Sequence, residues 1–321
     1  MKVALLFSGQ LRKIPQELFK KSLLNLTKDL DYSIFSYCWQ EEGKSLNHNK
    51  NISQLNPVEN IEDRLNIMFR DFNLIKYGYE SFKEFEKYLP PGHKKIFNSN
   101  KFHFGTVNSL PQIYALYKSY QLLINNGHYF DLIFRCRYDS LFVHPLYMFP
   151  LEKIINNNFL YNINFGRSFY PNRTYDIFFG GSQKSMKFLN NIWLDLPNIV
   201  NNKFCNGLDK RDSCRIIYLA ASLENIKVKS FDSRICDVFR NDKNKYINYL
   251  ISSHFIKTNL NFQNFKILKF LFKWLKDNDL VNLGTITCLI KTFFFVPFAY
   301  IKRIKYLKIK RIFANHFLKS F

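Results

Sequence analysis

Residues 109–143, SLPQIYALYKSYQLLINNGHYFDLIFRCRYDSLFV, join a helix pattern directly to a strand pattern. Pro111 near the first turn and Gly127 behind the last apolar residues are typical of the two ends of a helix. The apolar run 129–143 that follows predicts a buried strand. A helix that leads into a buried strand is typical of a sheet whose neighbouring strands are connected by helices.

The same alternation of strands and helices extends to both sides of this stretch. Before it, the patterns predict strands at 2–8, 31–39 and 71–79, and helices at 15–30 and 58–69. After it, they predict strands at 159–165 and 174–182, helices at 183–196 and 212–226, and a hairpin within 227–240. This order predicts an α/β fold with a Rossmann-like, mostly parallel sheet that is flanked by helices on both faces.

Composition limits the class of protein. The chain has 321 residues, of which 47% are hydrophobic, so it can bury a sizeable core and is not disordered as a whole. Its net charge of +22 attracts phosphates, nucleic acids or anionic membranes. Six cysteines without a C-x-x-C pair argue against a zinc or redox site and favour free thiols in a reducing compartment.

The C-terminal segment differs from the rest of the chain. We therefore predict a main α/β domain at 1–250 and a basic, aromatic-rich helical tail at 251–321. No Asp or Glu follows Asp279, whereas eight Lys or Arg residues do. In 264–276, four lysines lie along one stripe of a model helix beside a broad apolar face. Such a pattern is typical of a helix at a membrane surface, although a helix packed on its own domain shares it.

A second part of the tail approaches the length of a membrane span. Residues 281–300 are apolar, but Lys291 and Pro297 favour a segment that lies on the membrane over one that crosses it. We predict that 257–321 attaches the chain to an anionic membrane surface, as a peripheral protein on the cytoplasmic, inner face. Nucleic acid is the other partner that this charge suits, but no helix-turn-helix, zinc-finger or RNA-recognition pattern accompanies it.

Three charged residues interrupt the apolar run 129–143. Because side chains alternate along a strand, Arg135, Arg137 and Asp139 are predicted to share one face of it. Buried charges need partners, so these residues either form an internal ion pair or bind a ligand. Ligands of open α/β sheets bind beyond the carboxyl ends of the strands, where Asp139 is expected. Guanidinium groups there suit phosphate oxygens, and a carboxylate suits a divalent ion or a ribose hydroxyl.

The end of the first strand supplies a second candidate. The segment LLFSGQLRK (5–13) leaves the predicted strand at Ser8 and Gly9, where a glycine lets the backbone approach a ligand closely. Arg12 follows and suits a phosphate. An ordinary strand-to-helix turn can have the same residues, and neither G-x-G-x-x-G nor a P-loop is present.

Several segments, taken in order, resemble a known family. They are ALLFSGQLR (4–12), FSYCW (35–39), SLPQIYALYKSYQLL (109–123), YFDLIFRCRYDSLF (129–142) and YDIFFGGSQKSMKFL (175–189). They are similar to bacterial glycosyltransferases of the GT-A type that build lipopolysaccharide or capsule, some of them WavE-like. The resemblance covers residues 1–240 and implies a GT-A-like fold in the main domain. It also implies a nucleotide-sugar donor and a hexosyltransferase that acts on a lipid-linked or cell-surface glycan, as in lipopolysaccharide, lipooligosaccharide or capsule.

The resemblance also implies roles for single residues. The residues that it places in the donor site are Ser8, Gly9, Gln10, Arg12, Gln112, Tyr114, Arg135 and Arg137. Many such enzymes carry an Asp-x-Asp metal motif where this chain has Arg137 and Asp139. Only the last acid is present, which leaves two alternatives. Either Asp139 holds a divalent Mn²⁺ or Mg²⁺, or arginines neutralise the leaving diphosphate without one.

Transfer to an acceptor hydroxyl needs a base if the configuration inverts. Asp176 is the first candidate, with Asp139 as a second catalytic carboxylate. Nearby aromatics are predicted to stack on a sugar, and two glycines to leave room for it. These residues are Tyr170, Tyr175, Phe178, Gly180 and Gly181. Alternatively, Asp176 caps a turn or pairs with Arg173.

Other acids are weaker candidates. Asp209 and Asp212 follow in the sequence, and Asp212 also suits a helix N-cap. The literal Asp-x-Asp strings at 29–31 and 277–279 are rejected, because the first precedes its strand and the second lies in the basic tail.

The sequence thus predicts a peripheral glycosyltransferase. Two rival hypotheses remain: a basic nucleic-acid-binding protein without catalysis, and a transferase that uses another phosphate-bearing donor.

Overall fold

The computed structural model describes residues 1–12, 14–43, 55–97, 105–142, 144–162, 174–202, 212–230 and 236–238. All of them lie in the first of the two units into which the chain divides, Met1–Phe239. The predicted helical tail at 251–321 and the membrane segments within it lie outside the described residues. Within the described part, no helix combines the length and the apolar character that a bilayer crossing requires.

The described ranges contain eleven strands, nine α-helices and two short 3₁₀ turns. The strands are β1 (Lys2–Gln10), β2 (Asp31–Trp39), β3 (Glu41–Gly43), β4 (Leu55–Pro57), β5 (Leu74–Glu80), β6 (Leu132–Cys136), β7 (Ser140–Phe142), β8 (Phe159–Asn162), β9 (Phe178–Ser182), β10 (Lys227–Ser230) and β11 (Cys236–Val238). The helices are α1 (Gln16–Leu26), α2 (Ile61–Phe69), α3 (Phe82–Lys87), α4 (Pro91–Phe97), α5 (Gly105–Ile124), α6 (Leu151–Ile155), α7 (Gln183–Met186), α8 (Leu196–Asn201) and α9 (Ser213–Leu223). The 3₁₀ turns are Leu146–Met148 and Lys187–Asn190.

Seven strands form one mixed sheet in the order β10-β8-β9-β6-β1-β2-β5. The pairs β1–β2, β1–β6, β2–β5 and β8–β10 are parallel. Only β9 runs against its neighbours β6 and β8 in this sheet. The prediction of an α/β fold with a mostly parallel, helix-flanked sheet is confirmed, and the strand order is consistent with a GT-A-like, Rossmann-like fold.

The sheet is central because its middle strands are apolar on both faces. In β1, Ala4 and Leu6 point into one core, whereas Val3, Leu5 and Phe7 point into the other. All five side chains are buried, as expected for a parallel strand covered on both sides. Helix α5 packs on β1 and β2 over the first core. Helices α1 and α2 supply apolar side chains to the second core.

The predicted strand 129–143 is interrupted at 137–139, between β6 and β7. Strand β6 ends at Cys136, and residues 137–139 form a turn that is closed by the Ser140 N–H donating to the Arg137 carbonyl at 3.2 Å. Arg135, Arg137 and Asp139 therefore do not line one strand face. Only Arg135 belongs to the strand, and the other two charges pair with each other within the turn.

Three further predictions need correction. The helix 183–196 is broken into α7, a 3₁₀ turn and α8, with Pro197 in the first turn of α8, where its missing N–H costs nothing. The hairpin within 227–240 does not form, because β10 pairs with β8 and β11 pairs with β7. Helix α5 also begins earlier than predicted, at Gly105, which leaves Pro111 inside it.

Candidate active site

The carboxyl ends of β1 and β6 meet at one edge of the sheet. These strands are parallel neighbours, with Leu6 opposite Arg135 and Phe7 opposite Cys136. The segment after each strand therefore leaves the sheet at the same place, which is where ligands of such sheets bind. Strand β9 runs the other way, so its first residue, Phe178, lies opposite Cys136. This reversal brings Asp176 to the same edge.

Arg135 is a buried cation with spare hydrogen-bonding capacity. Its side chain is 2% exposed. Its Nε donates to Ser8 Oγ at 3.2 Å and its Nη2 donates to the Ser8 carbonyl at 3.4 Å. Its Nη1 is buried and has no hydrogen-bond partner in the described part of the chain. Burial lowers the pKa of Arg135 to about 10, against the opposing effect of Asp176, so the group stays charged at neutral pH.

Arg137 and Asp139 form a two-pronged ion pair. Arg137 Nε donates to Asp139 Oδ1 at 2.7 Å, and Nη2 donates to Oδ2 at 2.6 Å. Burial alone raises the pKa of Asp139, but the charge and hydrogen bonds of Arg137, with smaller effects of Arg12 and Arg135, lower it below its usual value. The internal ion pair, one of the two alternatives from the sequence, is thus present for Arg137 and Asp139, whereas Arg135 makes no hydrogen bond to either residue.

Asp176 completes the charged cluster. Its Oδ2 accepts a hydrogen bond from Ser213 Oγ at 2.9 Å and lies 3.8 Å from Arg137 Nη1. Its Oδ1 lies 3.7 Å from the Cys214 thiol. Burial, followed by the charge of Asp176, raises the pKa of Cys214 well above its usual value, so this thiol stays protonated. Asp176 is therefore fixed by the start of α9 and faces Arg137.

The start of α9 is itself capped. Asp212 accepts a hydrogen bond from the Cys214 N–H at 2.7 Å, which confirms the predicted N-cap. The Thr174 N–H donates to the Cys214 carbonyl at 3.0 Å. The segment before β9 is thus tied to the helix terminus that holds Asp176. Arg173, the other proposed partner of Asp176, and Asp209 both lie outside the described residues.

The segment after β1 borders the cluster. Gly9 has a φ of +119°, and a Cβ at this position would meet no atom within 4 Å. Gln10 Oε1 is buried without a hydrogen-bond partner in the described ranges. Arg12 lies near enough for its charge to lower the pKa of Asp139. Ser8, Arg12, Arg135 and Arg137 therefore meet at one edge, and their role in donor binding stays a prediction.

Tyr114 and Gln112 are placed differently. The hydroxyls of Tyr114 and Tyr37 both donate to Glu80 Oε2, at 2.9 and 2.6 Å. Burial, together with these hydrogen bonds, raises the pKa of both phenols. Tyr114 is thus engaged at the end of β5 and makes no hydrogen bond to the arginines. Gln112 Oε1 is buried and lacks a partner within the described part, so its predicted donor-site role stays a prediction.

The predicted sugar-stacking surface is wrong for three residues. Phe178 is fully buried and its ring stacks on Phe134 at 5.3 Å and 7°. A Cβ on Gly180 would lie 2.2 Å from the Phe134 ring, and one on Gly181 would lie 2.3 Å from Ser185 Oγ. These glycines make room for packing within the sheet and not for a ligand. Tyr175 is half-buried against the core, and Tyr170 lies outside the described residues.

The donor set does not suit a divalent metal in this arrangement. Both oxygens of Asp139 accept hydrogen bonds from Arg137, and Asp176 Oδ2 accepts one from Ser213. No group of three or more His, Cys, Asp or Glu side chains in the described residues could hold a metal ion. With three guanidinium groups around two carboxylates, the edge favours an anion over a cation.

An acidic cleft lies next to this edge. It has a volume of about 490 Å³, and its polar lining includes Gln40, Glu41, Asn60, Glu62 and Asp63. Gln40 directly follows β2, whose last residue pairs with Gln10. Arg64 connects the cleft to the first segment, because its Nη2 donates to the Leu11 carbonyl at 3.4 Å. The cleft offers mainly hydrogen-bond acceptors, which suit hydroxyl groups.

Sequence reasoning missed three polar residues of this region. Glu80 and Ser213 hold Tyr114 and Asp176, and Ser36 shares a 2.7 Å hydrogen bond with the Tyr138 hydroxyl. Their partners are distant in the chain, so no local pattern indicates them. The only available signal was the position of Glu80 at the end of a predicted strand.

Comparisons with known proteins identify no family. No family model matches the chain, and no curated protein does. A solved structure that is similar is that of mouse xyloside xylosyltransferase 1 in its apo form, with a TM-score of 0.40 and 9% identity. The similarity covers 72% of this chain and 86% of the mouse chain. A likeness this distant assigns no function, which must be inferred from the site itself.

Proposed function

We propose that the chain is a glycosyltransferase that moves a sugar from a nucleotide-sugar donor to a glycan acceptor. The observation that supports it most is Arg135. A buried guanidinium with an unused Nη1 is costly unless a ligand completes its hydrogen bonds. Phosphate oxygens do so with good geometry. Arg12 and Arg137 lie near the same sheet edge and add charge for a diphosphate.

The neighbouring cleft supports a donor with a hydroxyl-rich part. Glu41, Glu62 and Asp63 line it, and carboxylates accept hydrogen bonds from hydroxyls. A ligand with a diphosphate at one end and hydroxyl groups at the other fits both surfaces. Nucleotide-sugars are such ligands. A plain phosphate or a sulfate donor would use the arginines alone.

The proposed reaction is a direct displacement at the anomeric carbon. The acceptor oxygen forms a bond to this carbon and gives its proton to Asp176, while the bond from the carbon to the diphosphate oxygen breaks. The diphosphate leaves with the electron pair of that bond. Arg135 stabilises its negative charge through Nη1. Ser213 holds Asp176 Oδ2 through a hydrogen bond of 2.9 Å. The scheme therefore assigns the proton to Oδ1, which has only the longer 3.7 Å contact with the Cys214 thiol in the described residues.

The finer parts of the proposal concern the acceptor and the location. We propose a hexosyltransferase that acts on lipopolysaccharide, lipooligosaccharide or capsule glycans, in line with the resemblance of the segments in 1–240. We also propose that 251–321 is a separate unit, and that 257–321 holds the enzyme on the cytoplasmic face of an anionic membrane. A peripheral enzyme would meet a lipid-linked acceptor at that surface.

A donor panel tests the proposal. Isothermal titration with UDP-, GDP-, CMP- and dTDP-sugars, each with and without Mn²⁺, should show binding of at least one donor. Binding should weaken strongly in the Arg135→Met variant. The proposal fails if no nucleotide-sugar binds. A donor such as a glycerol phosphate or a sulfuryl nucleotide that binds in their place would assign another transferase. Salt-dependent binding of DNA or RNA that survives Arg135→Met would assign a nucleic-acid-binding protein.

A further inference from the structure

The geometry points to Arg137 as a built-in cation that holds Asp139 and Asp176 in place of a divalent metal ion. In consequence, the site binds and uses its donor without a metal. The ion pairing of Arg137 is a property of the folded chain alone, whereas donor use without a metal rests on the proposed function.

The contacts of Arg137 carry this inference. Asp139 is 5% exposed, and its two oxygens lie 2.7 and 2.6 Å from Nε and Nη2 of Arg137. On the other side of the same guanidinium, Nη1 lies 3.8 Å from Asp176 Oδ2. One side chain therefore lies within ion-pair distance of both carboxylates. A metal ion could bind both only after Arg137 had left them.

The net charge of the cluster opposes the replacement of Arg137 by a metal ion. The cluster comprises the guanidinium groups of Arg12, Arg135 and Arg137 and the carboxylates of Asp139 and Asp176, and thus has one positive charge in excess. Like charges at such a partly buried site repel each other more strongly than in water, because the effective dielectric constant is lower. An incoming divalent ion would meet this repulsion and would also have to displace a buried, hydrogen-bonded cation.

Arg137 keeps the capacity to act on a ligand. A guanidinium has five N–H groups. Two of these donate to Asp139, which leaves three. Both N–H groups of Nη1 and the second one of Nη2 remain for Asp176 and for an anion at the edge. Asp139 thus acts as a positioning residue, because the two hydrogen bonds that its carboxylate accepts fix the orientation of the Arg137 guanidinium.

Removal of the Arg137 charge should create a metal site. In Arg137→Met the two carboxylates lose their shared cation, so Mn²⁺ can bridge them. We expect Mn²⁺, titrated in the absence of any donor and followed by electron paramagnetic resonance, to bind this variant at least about tenfold more tightly than the wild type. The matched control is Arg137→Lys, which keeps the charge and should bind Mn²⁺ as weakly as the wild type. The double variant Arg137→Met with Asp139→Asn should lose the gain.

Two results would overturn the inference. Arg137→Met could bind Mn²⁺ no more tightly than the wild type, or Asp139→Asn alone could abolish Mn²⁺ binding by the wild type. Circular dichroism checks the fold of each variant, and Arg137→Gln replaces Arg137→Met if the latter does not fold. Donor binding by the wild type should be unchanged by EDTA. If no donor binds while the Mn²⁺ results are as expected, the proposed function fails and the assignment of Arg137 stands.

Discussion

Arg137 and Asp139 lie two residues apart in one turn and meet through two parallel hydrogen bonds of 2.7 and 2.6 Å. Two of the charges that interrupt the apolar run at 129–143 therefore satisfy each other. Among the described residues, Arg135 has no such partner and hydrogen-bonds only to Ser8. The ion pair therefore sets the shape of the edge, whereas Arg135 is a buried cation whose Nη1 has no hydrogen-bond partner in the described part of the chain.

Arg135→Met should weaken donor binding while leaving the fold intact. A buried charge with an unpaired donor is costly, so replacing Arg135 by an apolar side chain of similar length should leave the free energy of unfolding close to that of the wild type. The loss of a phosphate contact should raise the dissociation constant at least about tenfold, since hydrogen bonds to charged groups contribute about 1.5–3 kcal/mol. Titration calorimetry and thermal unfolding measure the two effects. The matched control is Arg70→Met, at an exposed arginine, and equal donor affinity in both variants would contradict the assignment of Arg135.

Asp139→Asn should destabilise the protein in a pH-dependent way. Breaking a buried ion pair by removing one partner costs about 3–5 kcal/mol, and the lower end is expected because Arg137 retains Asp176. The pKa of Asp139 is lowered in the folded state. Its ionised form therefore contributes stability above the ordinary value of 3.8, and this contribution is lost as the pH falls below it.

Urea unfolding across this pH range checks the expectation for Asp139. The difference in unfolding free energy between the wild type and Asp139→Asn should be largest near neutral pH and should shrink below pH 3.8. A difference that stays constant with pH would show that the carboxylate charge contributes nothing.

Asp176→Asn should reduce turnover without a comparable loss of donor affinity. The asparagine can keep the hydrogen bond from Ser213 but cannot accept the acceptor's proton, and general-base catalysis is typically worth about 10²–10⁴-fold in rate. Single-turnover assays and donor titration measure the two quantities separately. Ser213→Ala is the control for orientation and should have a smaller effect. Full turnover in Asp176→Asn would remove this residue from the mechanism.

Gly180→Ala should be strongly destabilising. An added Cβ would lie 2.2 Å from Cδ1 of Phe134 and 2.3 Å from the Ile133 carbonyl, and the backbone oxygen cannot move aside without disturbing β6. Overpacking of this kind costs typically about 1–3 kcal/mol and occasionally more. The comparison is Gly92→Ala, where the nearest atom, Pro197 Cγ, is 3.2 Å away. Equal unfolding midpoints in urea for the two variants would show that β9 shifts to accept the methyl group.

Deletion of 257–321 should abolish flotation with anionic liposomes. The segment has a large excess of Lys and Arg, and each basic residue near an anionic surface contributes about 1 kcal/mol to binding. Flotation of the full chain should also decrease at high salt. Liposomes of neutral lipid are the control, and unchanged flotation after the deletion would place the membrane contact elsewhere.

The long strands could be predicted because their signal is local. β1 contains the continuous apolar run 3–7, and β2 is mostly apolar over 34–39, so burial on both faces suits these parts of the strands. The turn at Arg137 and Asp139 could not be predicted in this way. These residues continue the two-residue alternation of a strand, and only their mutual pairing shows that the chain bends.

The site was predicted in part for a related reason. The carboxyl ends of neighbouring parallel strands meet by topology, which is enough to bring together Ser8, Arg12 and Arg135. The interactions of Glu80 with Tyr114 and of Ser213 with Asp176 depend on how helices α5 and α9 pack on the sheet. Phe178 was misplaced because its role depends on the register of β9 against β6, and that register leaves no trace in a single sequence.

The requirement at position 9 concerns the chirality of the residue and not the size of its side chain. The φ of +119° at Gly9 belongs to a region that L-amino acids avoid, yet a side chain there would find empty space. An enlarged residue at position 9 would therefore fail because of its chirality, whatever its volume. The first bend after β1 thus depends on the one achiral amino acid. Introducing L-alanine and D-alanine at position 9 by chemical synthesis would separate the effect of chirality from that of side-chain size.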